Sequence, residues 1–249
     1  MNEEIKQLSI KFNKIKKMGW VKTIRNGNCG VGATLEKLLC IEENSLEIPD
    51  FDGIEIKARR MYSKSYITMF SSTPTGPYYH EIARIKELYG YPHNKYKNYN
   101  ILNTSVYGNQ ITKVGLYNYF KLFVSRDKKK MFLEVYDFSK KLIENKTYWD
   151  FDILSEKLYR KMKVFALVEA QCKKIEGIEY FKYTSMTLYT LKNFDNFISL
   201  IEDGIIRISF KINIFTTEER FGQIYDHGTG FEISKENLEK LYNRIKVIQ

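Results

Sequence analysis

The sequence predicts a mixed α/β (α+β) fold, and three observations carry that expectation. Strand-like alternation recurs along the chain, in "GIEIKA" and, over a longer run, in "IIRISFKINIF". Helix-like apolar spacing falls between or before such runs, as in "TLEKLLCI" and "FDILSEKLYRKM". The 249 residues, 43% of them hydrophobic, supply a sizeable core, and no repeat or low-complexity linker divides them. Residues 1–249 therefore read as one domain with room for two lobes.

Taken in order, residues 2–18 place Ile5, Leu8, Ile10, Phe12 and Ile15 among lysines and predict an amphipathic opening helix. "RNGNCGVGA" breaks it, and from Thr34 a short helix puts Leu35, Leu38 and Leu39 on one face with Glu36 on another. "GIEIKA" predicts a strand with Ile54 and Ile56 on one side and Glu55 and Lys57 on the other; "YITMF" follows as a strand, stopped by the loop "SSTPTGP". The tyrosine-rich stretch 78–108 has no clear period, and residues 76–160 as a whole receive no role. "KMFLEVYDF" and "KVFALVEAQ" read as strands, the second apolar enough to be central, with "SKKLIENK" and "FDILSEKLYRKM" as helical pieces. "IIRISFKINIF" alternates throughout, "TTEERFGQIYDHGTG" reads as a loop, and "SKENLEKLYNRIK" as a closing helix capped by Ser234.

Lys and Arg outnumber Asp and Glu by 40 to 30, a formal charge of +10, which points to a polyanionic partner. The basic residues recur in clusters at 11–25, 57–60, 126–130 and 159–163, so nucleic acid is favoured over a tail-mediated contact. Cys29, Cys40 and Cys172 form no CxxC pair, which argues against a zinc site or a disulfide framework and for reduced thiols. "MNEEIKQ" lacks the pattern of a leader, and no apolar run suffices for a membrane span, so a soluble cytoplasmic protein is expected.

The densest chemistry lies in "PDFDGIEIKARR". Asp50 at a turn and Glu55 on the next strand bring two anions together, an arrangement that calls for a cation between them. Mg²⁺ suits two carboxylates, water and phosphate oxygens. Lys57, on the same strand face as Glu55, would reach the same spot and offset charge developing on phosphorus. The stretch thus holds a minimal set for metal-assisted phosphodiester hydrolysis, against the plainer reading of an edge strand with solvated charges. Asp52 stands as the alternative to Asp50. Glu4-Ile5-Lys6 and Glu144-Asn145-Lys146 repeat the spacing but lie in helix-like segments, where residues two apart diverge. "GNCGVGAT" lacks the ending of a P-loop and reads as a tight turn onto the helix of Glu36.

Together, "GNCGVGATLEKLLCIEENSLEIPDFDGIEIKARR", "YITMFSSTP" and "DHGTGF" resemble the MvaI/BcnI group of type II restriction endonucleases, relatives of the MutH nickase within the PD-(D/E)xK superfamily. The resemblance is strongest over 27–75, the active-site motif, and present over 205–231, the expected recognition region. In motifs and length it comes close to a single member of the group. It implies a restriction-endonuclease-like core in two lobes around a DNA-binding cleft, a monomer, Mg²⁺ as cofactor, double-stranded DNA as substrate and a methyltransferase as functional counterpart. It assigns Glu36 as accessory acid, Asp50 and Glu55 as metal-binding carboxylates and Lys57 as the catalytic lysine. Cys40 stands where relatives commonly carry Gly. MvaI-type members act on CC(A/T)GG and BcnI-type members on CC(C/G)GG.

Arg207, Ser209, Lys211 and Asn213 share one face of their strand and offer the donors and acceptors of major-groove readout. Arg59 and Arg60 are expected to contact phosphates, and His227 to contact DNA or order its loop. His80 and His93 receive no role, and the tyrosines of the middle stretch read as lobe core. The competing functions are a MutH-like nickase that awaits a partner and a DNA-binding module without chemistry.

Overall fold

The structure, a computed structural model, describes residues 2–41 and 48–249. The chain forms two compact units, one of Met1–Ser65, Lys157–Lys192 and Tyr242–Gln249, the other of Tyr66–Glu156 and Asn193–Leu241. Mixed α/β architecture holds in both.

In the first unit the opening helix spans Asn2–Lys17 and buries Ile5, Leu8, Phe12 and Ile15, one stripe at three- and four-residue spacing. Ile10 falls off that stripe and is 50% exposed. The sheet is built on a long hairpin, Val164–Ile175 and Ile178–Leu191, turned by Glu176 and Gly177, both at positive φ as a two-residue primed turn requires. Strand Glu55–Arg60 lies parallel to Val164–Ile175 at the sheet edge, with Glu55 opposite Phe165, Lys57 opposite Leu167 and Arg59 opposite Glu169. Val21–Lys22 and Tyr242–Ile248 both pair with the far side of Ile178–Leu191. Ile54 and Ile56 join the core shared by both helices and the inner sheet face, which turns Glu55 and Lys57 to the opposite side.

The second helix begins at Gly30, earlier than the expected Thr34, and runs to Leu39. Gly30 has to be glycine, because a Cβ there would lie 2.4 Å from the Arg25 carbonyl oxygen. The closing helix is corrected more strongly. After a 3-10 turn at Lys235–Asn237 only Leu238–Leu241 is α-helical, and Tyr242–Ile248 is a strand on Met186–Leu191. Ser234 does occupy the N-cap position, but it makes no side-chain cap and accepts from Asn237 Nδ2 instead. Sheet pairing outweighs helical propensity in that segment.

The second unit holds two sheets. One orders Ile67–Ser71, Gly230–Ile233, Ile206–Ile214, Asn100–Val106 and Tyr91–Pro92, with Ile224–Asp226 added to Ile206–Ile214. The other orders Tyr148–Asp150, Lys130–Tyr136, Asn118–Ser125 and Thr112–Val114, with Leu142–Glu144 added to Lys130–Tyr136. Trp149, Phe120, Phe210 and Phe231 are fully buried between elements, and Trp149 donates to the Ser72 carbonyl. "SKKLIENK" is therefore not helical: Lys140 at φ 63° turns the chain into strand Leu142–Glu144. The segment read as a loop, 216–230, contains a 3-10 turn and a strand that folds back on Ile212–Ile214. The stretch 78–108 resolves into helix Glu81–Tyr89 and strand Asn100–Val106. Tyr96 and Tyr99 pack edge-on against Phe221, whereas Tyr79 is 95% exposed. No helix among the described residues is long and apolar enough to cross a membrane.

Candidate active site

The acids at 50 and 55 are brought together by a two-residue turn. Phe51 and Ile54 exchange both backbone hydrogen bonds, and Asp52 and Gly53 between them take φ 42° and 84°. Asp-Gly is the pair that such a primed turn favours, because both positions need left-handed backbone. Asp52 is thereby fixed at the exposed turn tip. Asp50 instead folds back over the turn, its Oδ2 accepting the Ile56 N–H at 2.8 Å.

Glu55 is 1% exposed although it lies on an edge strand, which sets aside the reading of solvated charges. Its Oε1 accepts from Lys57 Nζ at 2.6 Å, and Lys161 Nζ lies 3.5 Å from the same oxygen. Its Oε2 is buried and has no hydrogen-bond partner. Burial raises the Glu55 carboxyl above the ordinary 4.5, with Asp50 adding in the same direction and Lys57 and Lys161 opposing. One residue that sequence reasoning missed is Lys161, carried on the last turn of helix Phe151–Met162. It lay in the basic cluster "YRKMK", and nothing in that cluster's spacing pointed to Glu55.

Glu36 sits partly exposed on helix Gly30–Leu39. Tyr183 holds the start of that helix by donating to the Val31 carbonyl at 2.8 Å. Burial first, and then the negative charge of Glu36, raise the Tyr183 phenol. Among the described residues no group of three or more His, Cys, Asp or Glu gathers as a metal cluster, so Glu36 does not join Asp50 and Glu55 in one. Cys40 ends the helix in the left-handed region at φ 59°, its N–H bonded to the Glu36 and Lys37 carbonyls, so the turn expected of Gly at this position is made by Cys.

The residues present fit a hard divalent ion. A buried carboxylate oxygen without a partner and a second carboxylate close enough to raise its pKa form an all-oxygen donor set. Two protein carboxylates are what Mg²⁺ typically takes, with water and phosphate oxygens completing the shell.

Arg59 shares the strand face of Glu55 and Lys57. Its Nη2 donates to the Ser63 carbonyl, whereas Nε and Nη1 are buried without partners. Arg60 points the other way and is committed within the protein. Its guanidinium grips Glu179 through two hydrogen bonds of 2.8 and 2.7 Å and donates to the Gly27 and Asn28 carbonyls. It therefore pins the glycine-rich turn onto the central hairpin.

In the second unit, strand Ile206–Ile214 buries Ile206, Ile208, Phe210, Ile212 and Ile214 as expected. The opposite face is less open than the alternation implied, for Ser209 is 6% exposed. Arg207 donates to Glu232 Oε2 and to the Tyr107 hydroxyl and stacks 3.5 Å from the Tyr66 ring centroid. Lys211 donates to Glu232 Oε1 at 2.6 Å, and Thr68 donates to the same oxygen at 3.1 Å. Glu232 is thus the buried hub of this face, a residue that sequence reading passed over inside an apolar strand. Burial pushes its carboxyl up, but Lys211 and Arg207 outweigh that and leave it below 4.5. Asn213 turns its Oδ1 to the N–H of Ile214. His227 is exposed, its ring 3.9 Å from that of Tyr225 and its backbone N–H bonded to the Lys211 carbonyl.

Comparison with known proteins identifies relatives of the chain. The profile of the MvaI/BcnI restriction endonuclease family matches residues 9–242. A solved structure of the restriction endonuclease MvaI with its cognate DNA superposes with a TM-score of 0.91 at 33% identity, covering 100% of this chain and 98% of that one. MvaI in the absence of DNA gives 0.65 at the same 33%, covering 100% of this chain and 99% of that one. Among curated protein sequences no match was found. At that identity the chain is a relative of MvaI and not MvaI itself, which corrects the closer resemblance its motifs and length suggest. With the family profile spanning nearly the whole sequence, the chain is a type II restriction endonuclease and belongs to the MvaI/BcnI restriction endonuclease family.

Proposed function

We propose that the protein binds double-stranded DNA and hydrolyses phosphodiester bonds at CC(A/T)GG in a Mg²⁺-dependent reaction, with the chemistry at Asp50, Glu55 and Lys57. The observation that carries this is the asymmetry of Glu55: one oxygen bonded to Lys57, the other buried and open. Asp50 and Glu55 would hold the metal, and when bound it supplies Lewis acidity toward a phosphate oxygen. Glu55 fixes the direction of the Lys57 ammonium. That group orients an attacking water and offsets charge as the phosphorus becomes pentavalent. We assign Glu36, on helix Gly30–Leu39, as the accessory acid on the likeness to the family. Arg59, with two guanidinium nitrogens lacking partners next to Lys57, is suited to a backbone phosphate.

For readout we assign the face of Arg207, Ser209, Lys211 and Asn213, with His227 at its rim. Glu232 holds Arg207 and Lys211 in fixed directions, as base recognition requires, while each keeps donor capacity to spare. We assign CC(A/T)GG rather than CC(C/G)GG on the likeness to MvaI over the full chain. The test is digestion of plasmid DNA by the purified protein with Mg²⁺, followed by mapping of fragment ends. Discrete ends at CC(A/T)GG without any added protein are expected. Cuts at CC(C/G)GG would overturn the site, and nicks that appear only with a partner protein would overturn autonomous cleavage.

A further inference from the structure

Glu55 carries more cation than one carboxylate needs. Lys57 already hydrogen-bonds Oε1, yet Lys161 brings a second ammonium to 3.5 Å from the same atom, from a different element of the fold. Asp50 adds a second anion beside Glu55, which favours such a convergence of like charges. At this turn two carboxylates thus face two ammoniums. Lys161 is three-quarters buried, 27% exposed in its side chain, so its charge is not simply dispersed into water.

We propose that Lys161 is an internal counter-ion that stands in for the divalent cation until DNA arrives. This rests on the metal-binding reading of Asp50 and Glu55 given above. An ion entering at Glu55 has to displace or repel the Lys161 ammonium, which weakens metal binding to the free protein. A phosphate brought by DNA restores the missing negative charge and gives that ammonium a new partner. Metal affinity is thereby coupled to DNA occupancy, and by linkage DNA affinity is coupled to metal in equal measure. Lys161 is in this sense a positioning residue, acting through Glu55. The arrangement leaves the enzyme poorly loaded away from DNA.

The experiment measures Mn²⁺ affinity of the full chain by calorimetric titration, with and without an uncleavable phosphorothioate duplex carrying the recognition site. Removing one positive charge from beside Glu55 is expected to tighten Mn²⁺ binding to free Lys161→Met by about tenfold and to shrink the DNA-induced gain. Lys161→Arg, which keeps the charge, is expected to match the parent protein. Equal or weaker Mn²⁺ binding by folded Lys161→Met overturns the proposal, and so does a Lys161→Arg variant that behaves like Lys161→Met. Asp50→Asn separates this from the underlying reading. If it abolishes Mn²⁺ binding while Lys161→Met changes nothing, the metal site stands and the counter-ion role falls. If it leaves Mn²⁺ binding intact, both fall.

Discussion

Lys57 Nζ and Glu55 Oε1 lie 2.6 Å apart on one face of an edge strand, and the carboxylate they share is 1% exposed. Such a contact fixes the direction of the lysine. Because its charge matters most as the phosphorus gains negative charge, Lys57→Ala is expected to retain specific binding and to lose cleavage by about a hundredfold or more. Gel-shift affinity and single-turnover cleavage measured on one duplex check this. Normal cutting by the variant would remove Lys57 from the chemistry.

Asp50 and Asp52 are separated by the turn between them. Asn at position 50 keeps an oxygen for the Ile56 N–H, so Asp50→Asn is expected to fold normally and fail to cleave. Asp52 occupies the left-handed first position of a primed turn, where Asn is equally at home, so Asp52→Asn is expected to change neither stability nor cleavage. Thermal unfolding and digestion of both variants decide between them; the reverse pattern would exchange their roles.

Arg60 is tied to Glu179 and to two carbonyls of the glycine-rich turn. Its main contribution is therefore to folding, and Arg60→Ala is expected to cost about 1–3 kcal/mol by leaving a largely buried carboxylate unpaired. In a double-mutant cycle with Glu179→Gln the two losses should not add. An unchanged unfolding midpoint together with a shallower salt dependence of DNA binding would return Arg60 to the phosphate contacts.

The local chemistry at the acidic turn was legible because it is written in short-range order. Asp-Gly sets the turn, alternation from Ile54 to Lys57 sets the face, and both survive folding unchanged. What stayed hidden depends on contacts between distant segments. Lys161 meets Glu55 across 106 residues of chain, Glu232 meets Arg207 and Lys211 across a sheet, and neither meeting has a sequence period. The same cause explains the misread closing segment. "LEKLYNRIK" has helical spacing, but Tyr242–Ile248 gains a complete ladder on Met186–Leu191. It also undoes one argument about Glu144, which lies in a strand and not in a helix. Glu144 is instead engaged by Arg84 and by the Tyr89 hydroxyl, a role within its own unit.

Glu232 offers a pH test. Its folded carboxyl lies below the ordinary 4.5, so its stabilising effect is present above that value and is lost as pH falls through the folded pKa. Relative to the parent, Glu232→Gln is expected to lose about 1–3 kcal/mol at pH 7, mostly through Arg207, since Lys211 is 43% exposed and its pair is weaker. The deficit should narrow steadily below pH 4.5. Denaturant midpoints of both proteins between about pH 3 and 7 measure it. A deficit that stays constant with pH would mean that shape, not charge, holds this face together.

Cys40 closes helix Gly30–Leu39 in a conformation that a side chain disfavours, at φ 59° and ψ 39°. The left-handed region costs a residue with a Cβ about 1–2 kcal/mol, and glycine avoids that at the expense of greater freedom in the unfolded chain. Cys40→Gly is therefore expected to stabilise the protein by about 0.5–1 kcal/mol. Cys40→Ala should bring no such gain, because it removes the thiol and keeps the Cβ. The thiol is exposed, so losing it empties no part of the core. Cleavage should be unaffected by either change, because the backbone bonds from residue 40 to the Glu36 and Lys37 carbonyls do not depend on its side chain. Equal unfolding midpoints for the Gly and Ala variants would show that the helix end relaxes without cost, and that the turn seen at Cys40 holds no strain for glycine to relieve.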